Sequence, residues 1–367
     1  MRDRHVLAIQ AAIGWCIGGL GPVLVLGARD LDIPRYQVSW LGSAFGFGLL
    51  GAGLLGRRIL RHGAEPVTRI GAVLVVAGVA ALGFGNGLPL LIAGGLLQGA
   101  GCSAFLIATP ALVGLDDRAR RLAVAVGVSS VAGLLAPVSV ALLDQTAVTG
   151  RVALAVPILW LVPIALRRLR AAEGIGIGRS ATVAASDRGS ITTDTMRRWL
   201  VIVLAVAAEF CFWTWGAARL VDAGAADGTA SGLAAAFAVG MALGRMIGPR
   251  TVGPMDPIRL SSVVTSAAAV VVILDVPVPV LVGALFVAGF GVAVLYPVSL
   301  TRLLEDPSLD EGHLIALAAY ASGVAITVTP VLLGVFDQIV VLRYAFGIVP
   351  LLVGGVVVLH RRITDPA

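Results

Sequence analysis

Glu209 is the residue of this chain best placed to do chemistry. It opens the run Glu209-Phe210-Cys211-Phe212-Trp213-Thr214-Trp215 and is the one carboxylate set well inside a long apolar stretch. An ionised side chain at hydrocarbon depth is costly, so such residues face a watery cavity, pair with another group or bind something. Burial favours the neutral carboxyl, which would let Glu209 exchange a proton near neutral pH. The alternative is a glutamate hydrogen-bonded between helices and serving packing alone. Trp213 follows four residues later and shares a helix face with Glu209. A carboxylate beside an aromatic wall of Phe210, Phe212 and Trp213 suits an organic cation, held by charge and cation–π contact. The alternative is an aromatic belt at the membrane interface, which fits Trp215 better.

The elements that must position these residues are membrane helices. The chain has 367 residues, 58% hydrophobic and 13% charged, with a mean hydropathy of +0.97. A soluble globular chain carries about 25% charged residues. Backbone polar groups find no water in hydrocarbon, so helices or closed barrels are the options, and the apolar runs are too long and continuous for barrel strands. Six spans are expected first, at His5–Gly27, Val38–Gly56, Ile70–Gly85, Leu88–Val113, Leu122–Leu143 and Val152–Leu166. Six more follow at Trp199–Leu220, Ser231–Gly248, Leu260–Val276, Pro279–Leu300, Leu314–Phe336 and Leu342–Leu359. The third–fourth and ninth–tenth joins are short enough to require tight hairpins. The N-terminus, with two arginines ahead of its apolar stretch, reads as an uncleaved first helix rather than a signal peptide.

All 27 basic residues are arginine. The absence of lysine excludes a complete Walker A loop and any lysine Schiff base, and with it a pyridoxal enzyme or retinal-type pump. No cofactor is expected. Cys16, Cys102 and Cys211 fall inside apolar spans and read as small buried hydrophobes. His5, His62, His313 and His360 lack metal-ligand spacing, so no metal is expected either. With the N-terminus inside, 22 of the 27 arginines, Arg245 among them, fall on the inner side. That asymmetry places both termini in the cytoplasm of an inner-membrane protein. It accounts for the basic balance without nucleic acid.

Ser129, Val131, Ala132, Pro137, Asp144, Gln145, Val156 and Pro157 recur at a constant offset of 193 as Ser322, Val324, Ala325, Pro330, Asp337, Gln338, Val349 and Pro350. The chain therefore reads as an all-α membrane protein of twelve helices in two pseudo-symmetric six-helix bundles, 1–166 and 199–367, joined by a cytoplasmic linker at 167–198. Duplicated bundles suit alternating access. The repeated Pro137 and Pro330 are expected to kink matching helices, and Asp144 and Asp337 to cap or bind across helix ends.

Two six-helix halves with a basic cytoplasmic loop resemble the major facilitator superfamily over essentially the whole chain. The segment after the second span is similar to that superfamily's conserved loop at Gly56, Arg57, Arg61, Gly63 and Arg69, with Leu60 at the place of the usual acid; Gly244-Arg245 is a second, weaker copy. Gln98-Gly99-Ala100-Gly101 matches part of a proton-linked pattern, and Gly133 with Ala136-Pro137 part of an exporter pattern. The resemblance implies that spans one, four, seven and ten line a central cavity. Gln10, Trp15, Gln98 and Tyr296, and more weakly Tyr320 and Thr327, then become substrate-site candidates beside Trp213. Singly, each would make an interhelical contact worth about 0.6 kcal/mol.

The function expected is secondary transport of a small organic solute, coupled to protons through Glu209 and directed outward, by a monomer among membrane lipids. Uptake of a small metabolite is the alternative, as is a non-transporting sensor that keeps the fold. A membrane enzyme is disfavoured, because no nucleophile with a base and no His/Asp/Glu cluster is present.

Overall fold

The computed structural model describes residues 2–60, 63–113, 118–166, 191–251, 256–309 and 311–364, and is all-helical there. The first half comprises α1 (Arg2–Gly18), α2 (Leu20–Leu31), α3 (Arg35–Leu60), α4 (Ala64–Phe84), α5 (Leu88–Val113), α6 (Arg118–Asp144), a 3-10 helix (Gly150–Ala155) and α7 (Ile158–Leu166). The second comprises α8 (Thr193–Asp222), α9 (Asp227–Leu233), α10 (Ala235–Thr251), α11 (Pro257–Ile273), α12 (Val278–Val292), α13 (Leu295–Leu304), α14 (Glu311–Ile339), α15 (Leu342–Ala345) and α16 (Ile348–Thr364). Among the described residues, eight helical stretches are long and apolar enough to cross a membrane, and the bent pair α1–α2 makes a ninth. Helix α3 and the shorter stretches Gly150–Leu166 and Pro257–Ile273 bring the passes to twelve, six in each half.

Several passes are broken, and proline explains where. A proline lacks the N–H that would bond the carbonyl four residues earlier. Pro22 leaves the Gly18 carbonyl without that donor, and α1 and α2 meet there at 51°. Pro297 does the same to Ala293, between α12 and α13, and Pro350 to Phe346, between α15 and α16. Pro137 and Pro330, expected to kink their helices, lie inside α6 and α14, which run unbroken through them.

Glycines let the helices come close in the same pattern in both halves. On α5, a Cβ at Gly99 would sit 1.9 Å from the Phe45 carbonyl of α3; on α10, a Cβ at Gly240 would sit 1.9 Å from the Phe286 carbonyl of α12. Only a residue without a side chain tolerates such an approach.

Helix α8 begins six residues before the expected Trp199, because Thr192 and Thr195 form a reciprocal cap that ends the link early. Residues 167–190 of the expected linker lie outside the described residues, as does Arg61 of the loop after the second span.

The halves meet at the end that carries the α2–α3 and α8–α9 links. Arg35 of α3 reaches Asp222 of α8 at 2.5 Å. A Cβ on Gly42 would lie 2.8 Å from Pro330, one on Gly46 2.5 Å from the Thr327 nitrogen, and one on Gly232 2.7 Å from Ala141. This seam leaves a void of only about 10 Å³ among Leu20, Val38, Gly42, Thr214, Trp215 and Pro330. That end of the molecule is closed.

Candidate functional site

The 30-residue α8 holds Glu209 near its middle, half-buried. One turn along, the Trp213 indole Nε1 donates to Glu209 Oε1 at 3.2 Å. The i, i+4 spacing brings the two together: both side chains stand on one face, one above the other. Trp213 is fixed in turn by an edge-on contact with Phe237 of α10, ring centroids 5.3 Å apart. Its ring edge comes within 3.8 Å of where a side chain on Gly133 of α6 would begin, and its carbonyl within 2.7 Å of the corresponding point on Gly21 of α2. Trp213 therefore sits where the two halves touch, with the Glu209 carboxylate on its ring nitrogen.

A cation on another pass acts on this carboxylate electrostatically. Arg245 lies on α10 and is electrostatically coupled to Glu209 and to Tyr296. Phe237, Met241 and Arg245 follow at intervals of four along one stripe of α10. With Phe237 level with Trp213, Arg245 is about one turn farther along the bundle than Glu209, at 1.5 Å rise per residue. Side chains lean toward the N-terminus of their own helix.

Tyr296 is coupled electrostatically to both. It stands in the first turn of α13, just past the break after α12. Close packing brings α10 to the same break, since a Cβ on Gly244 would lie 2.7 Å from that of Ala293. The contacts observed at the acid are thus the Trp213 indole on its own helix and, behind that, Phe237 of α10.

The chain matches the Major Facilitator Superfamily model over residues 6–301. It belongs to the Major Facilitator Superfamily. Solved structures agree in fold. A peptide transporter POT in complex with sulfate superposes with a TM-score of 0.76 at 13% identity, covering 99% of this chain and 94% of that one. The nucleoside transporter NupG gives 0.70 at 13% identity, covering 99% of each chain. A D-xylose-proton symporter gives 0.70 at 16% identity, covering 97% and 96%. A search among curated protein sequences returns no match. The chain is a multi-pass membrane protein of a transporter family and not an enzyme.

Within this superfamily member, the other candidates lie in several places. Gln10 of α1 is buried and donates to Thr109 Oγ1 of α5 at 3.0 Å, tying the first pass to the fourth. Trp15 is buried edge-on against Trp160, with ring centroids 6.2 Å apart and an indole nitrogen without a partner among the described residues. Gln98 is buried where α5 presses on Gly78 of α4, with its Oε1 unpaired among the described residues. Tyr320 is half-buried on α14, two residues from Ser322 and so on another face. Thr327 bonds back to the Gly323 carbonyl of its own helix at 2.7 Å.

The aromatic wall expected around Glu209 reduces to Trp213. Phe210 and Phe212 are buried within the second half, and Trp215 is buried at the seam, its indole donating to the Pro330 carbonyl at 3.1 Å. Of the loop after the second span, Gly56 and Arg57 fall on the last turns of α3. Gly63 caps α4 at φ +95°, and Arg69 donates to the Ala165 carbonyl at 3.3 Å. The three cysteines are free and buried, and Cys16 and Cys102 lie side by side on α1 and α5. No cluster able to hold a metal occurs among the described residues.

Sequence reasoning took Arg245, with Gly244, as the second copy of the conserved loop and did not link it to Glu209. It was counted with the inner-side arginines because it stands three residues from the end of its expected span. The signal was present in that span's own pattern, in the four-residue steps from Phe237 through Met241.

Proposed function

We propose that this protein is a proton-coupled secondary transporter of a small organic solute, working by alternating access, with Glu209 as the proton-exchanging group. One observation carries the reading: a carboxylate at membrane depth is held by Trp213 where the two halves touch. A group at such a seam changes surroundings when the halves rock, which is what couples a proton to a conformational cycle. The structural neighbour named a D-xylose-proton symporter supports coupling to protons on this fold. Trp213 and Tyr296 are the solute contacts we favour among the candidates. Gln10, Trp15 and Gln98 serve helix packing.

Export was expected from an aromatic wall and a partial fifth-span pattern. With Phe210, Phe212 and Trp215 packed away, the first support is gone, and we favour symport of solute and proton. The arginine asymmetry supports a cytoplasmic N-terminus and an inner-membrane location. Reconstitution in proteoliposomes with an imposed pH gradient tests the reading. Solute flux should follow the gradient in the parent protein and lose its pH dependence in Glu209→Gln. Unchanged pH-dependent flux in that variant would overturn it.

A further inference from the structure

The third and sixth passes leave a groove between them at the end of the molecule opposite the closed one. Its volume is about 310 Å³, and it is lined by Pro66, Arg69, Ile70, Val73 and Leu74 of α4 and Ala165 of α7. Ile70 and Val73 are exposed, and with Pro66 and Arg69 they follow one another along one side of α4. The one charge in this lining is Arg69, in the second turn of the helix. Its Nε donates to the Ala165 carbonyl at 3.3 Å, which lays the guanidinium across the groove from α4 to α7. A guanidinium carries five N–H donors, and this bond uses one. The others have no acceptor among the described residues.

The second half fills the matching place with its own side chains. At the offset of 193 that relates the halves, Gly63 at the start of α4 corresponds to Asp256 at the start of α11, and both stand at the N-cap. The His360 ring of α16 donates to Asp256 at 2.6 Å, and Arg302 of α13 lies 3.8 Å from the same carboxylate. These contacts tie the start of α11 to the end of α16. Gly63 has no side chain to do this for α4 and α7. Arg69 is likewise particular to the first half, since Ser262 stands at its place in the second.

A cation at the mouth of an apolar groove that opens on the lipid side suits a molecule with a phosphate at one end and hydrocarbon at the other. The groove lies at the arginine-rich end, which the charge asymmetry assigns to the cytoplasmic leaflet, and anionic lipids give that leaflet its negative surface. We infer that the groove holds one anionic phospholipid, its phosphate on the Arg69 guanidinium and an acyl chain along Ile70, Val73 and Leu74. The planar fork of an arginine matches two phosphate oxygens at once. A soluble phosphate would leave the apolar wall unused. A zwitterionic lipid brings a phosphate whose charge its own amine already balances. The bound lipid ties α4 to α7 as His360 and Asp256 tie α16 to α11.

The test is native mass spectrometry of the purified full chain, stripped of lipid in detergent and titrated with dioleoylphosphatidylglycerol or dioleoylphosphatidylcholine. The parent protein should retain one phosphatidylglycerol in preference to phosphatidylcholine. Arg69→Gln should weaken phosphatidylglycerol binding about tenfold, as expected for loss of a hydrogen-bonded charge, and abolish the preference. Arg259→Gln removes an exposed arginine from the same end of the second half and should keep it. Val73→Trp leaves Arg69 in place and fills the groove from its exposed side, so it too should weaken binding. That variant decides the matter if loss of the Ala165 bond unfolds Arg69→Gln. Inorganic phosphate in excess should not displace the lipid. Equal binding of the two lipids by the parent, or undiminished phosphatidylglycerol binding in Arg69→Gln or Val73→Trp, overturns the proposal. An equal loss in Arg259→Gln, or displacement by phosphate, does so as well. Glu209 has no part in these measurements, so proton-coupled transport stands or falls separately.

Discussion

Arg35 on α3 and Asp222 on α8 are joined at 2.5 Å across the two halves, while Arg29 on α2 grips Asp144 on α6 with two bonds of 2.8 Å inside one half. The second pair holds a single bundle together. The first must part whenever the closed end opens. Both members of the Arg35–Asp222 pair are about one-quarter exposed, and a pair so placed is worth about 0.5–1 kcal/mol. Arg35→Gln should therefore raise the open population at that end two- to fivefold. The measurement is thiol labelling of Ser39→Cys, a position now buried against Gly334. Exchanging the charges, with Arg35→Asp and Asp222→Arg together, should restore the parent labelling rate. Equal rates in all three proteins would remove the pair from the gating of the seam.

Close helix contacts make a prediction of a different kind. A Cβ on Gly14 of α1 would lie 1.8 Å from the Ser129 carbonyl of α6, whereas one on Gly127 of the same α6 would meet nothing within 4 Å. Backbone cannot yield as a side-chain tip can, so Gly14→Ala forces the first and fifth passes apart, at about 1–3 kcal/mol. Gly127→Ala removes only a flexible residue from a helix and should be neutral or slightly stabilising. Melting in detergent should separate the two by several degrees.

Glu209 and Trp213 were legible in the sequence because four residues make one helical turn, whatever surrounds the helix. The twelve passes and the duplication were legible for the same reason: hydropathy and spacing are local. Proline breaks were half legible. Pro137 and Pro330 drew attention by repeating, yet the passes come apart four residues before Pro22, Pro297 and Pro350. The electrostatic link of Arg245 to Glu209 and the seam contacts were not legible. Which helix lies beside which is decided by glycines such as Gly240 and Gly244, and a carboxylate cannot announce from its own helix the cation that a neighbouring helix brings to it. Gln98 shows the converse, since its polarity suggested a cavity and Gly78 drew it into packing.

Stability should depend on acid through two carboxylates outside the membrane passes. Burial raises the Asp306 carboxyl, but the Ser308 N–H at 2.9 Å, the hydroxyls of Ser308 and Thr195 and the Arg198 charge more than offset it and hold it below the usual carboxylate range. At Asp256 burial again acts upward. The His360 ring at 2.6 Å, the Ile258 N–H at 2.9 Å and the Arg302 charge outweigh it. A folded-state pKa below the unfolded value of about 3.9 gives stability that is present above that pH and lost as the pH falls through the folded value. The melting temperature should hold from pH 7 to about pH 5 and drop below about pH 4. Asp306→Asn should lower the plateau and shrink the drop. A drop of unchanged size would assign the acid sensitivity elsewhere.

Arg219 and Arg343 stand near one another at the closed end and should respond oppositely to removal. Arg219 is buried, and its Nε and Nη2 donate to the Val272 and Leu274 carbonyls at 2.9 and 2.8 Å, closing the C-terminal end of α11. Arg151 does the same for the end of α4 through Leu82 and Gly85, so each half pins its third pass with an arginine borrowed from a different element. Arg343 instead meets Asp275, whose side chain is 89% exposed, at 3.2 Å. Water can replace the partner of an exposed charge but not that of a carbonyl inside the bundle. Leaving a buried acceptor unpaired costs about 1–3 kcal/mol. Arg219→Leu should therefore lower the melting temperature clearly and loosen α11, seen as faster amide exchange over 270–274. Arg343→Leu should leave both measurements within error of the parent. A comparable loss from the two variants would mean that the charge of this surface, rather than the capped helix end, is what Arg219 contributes.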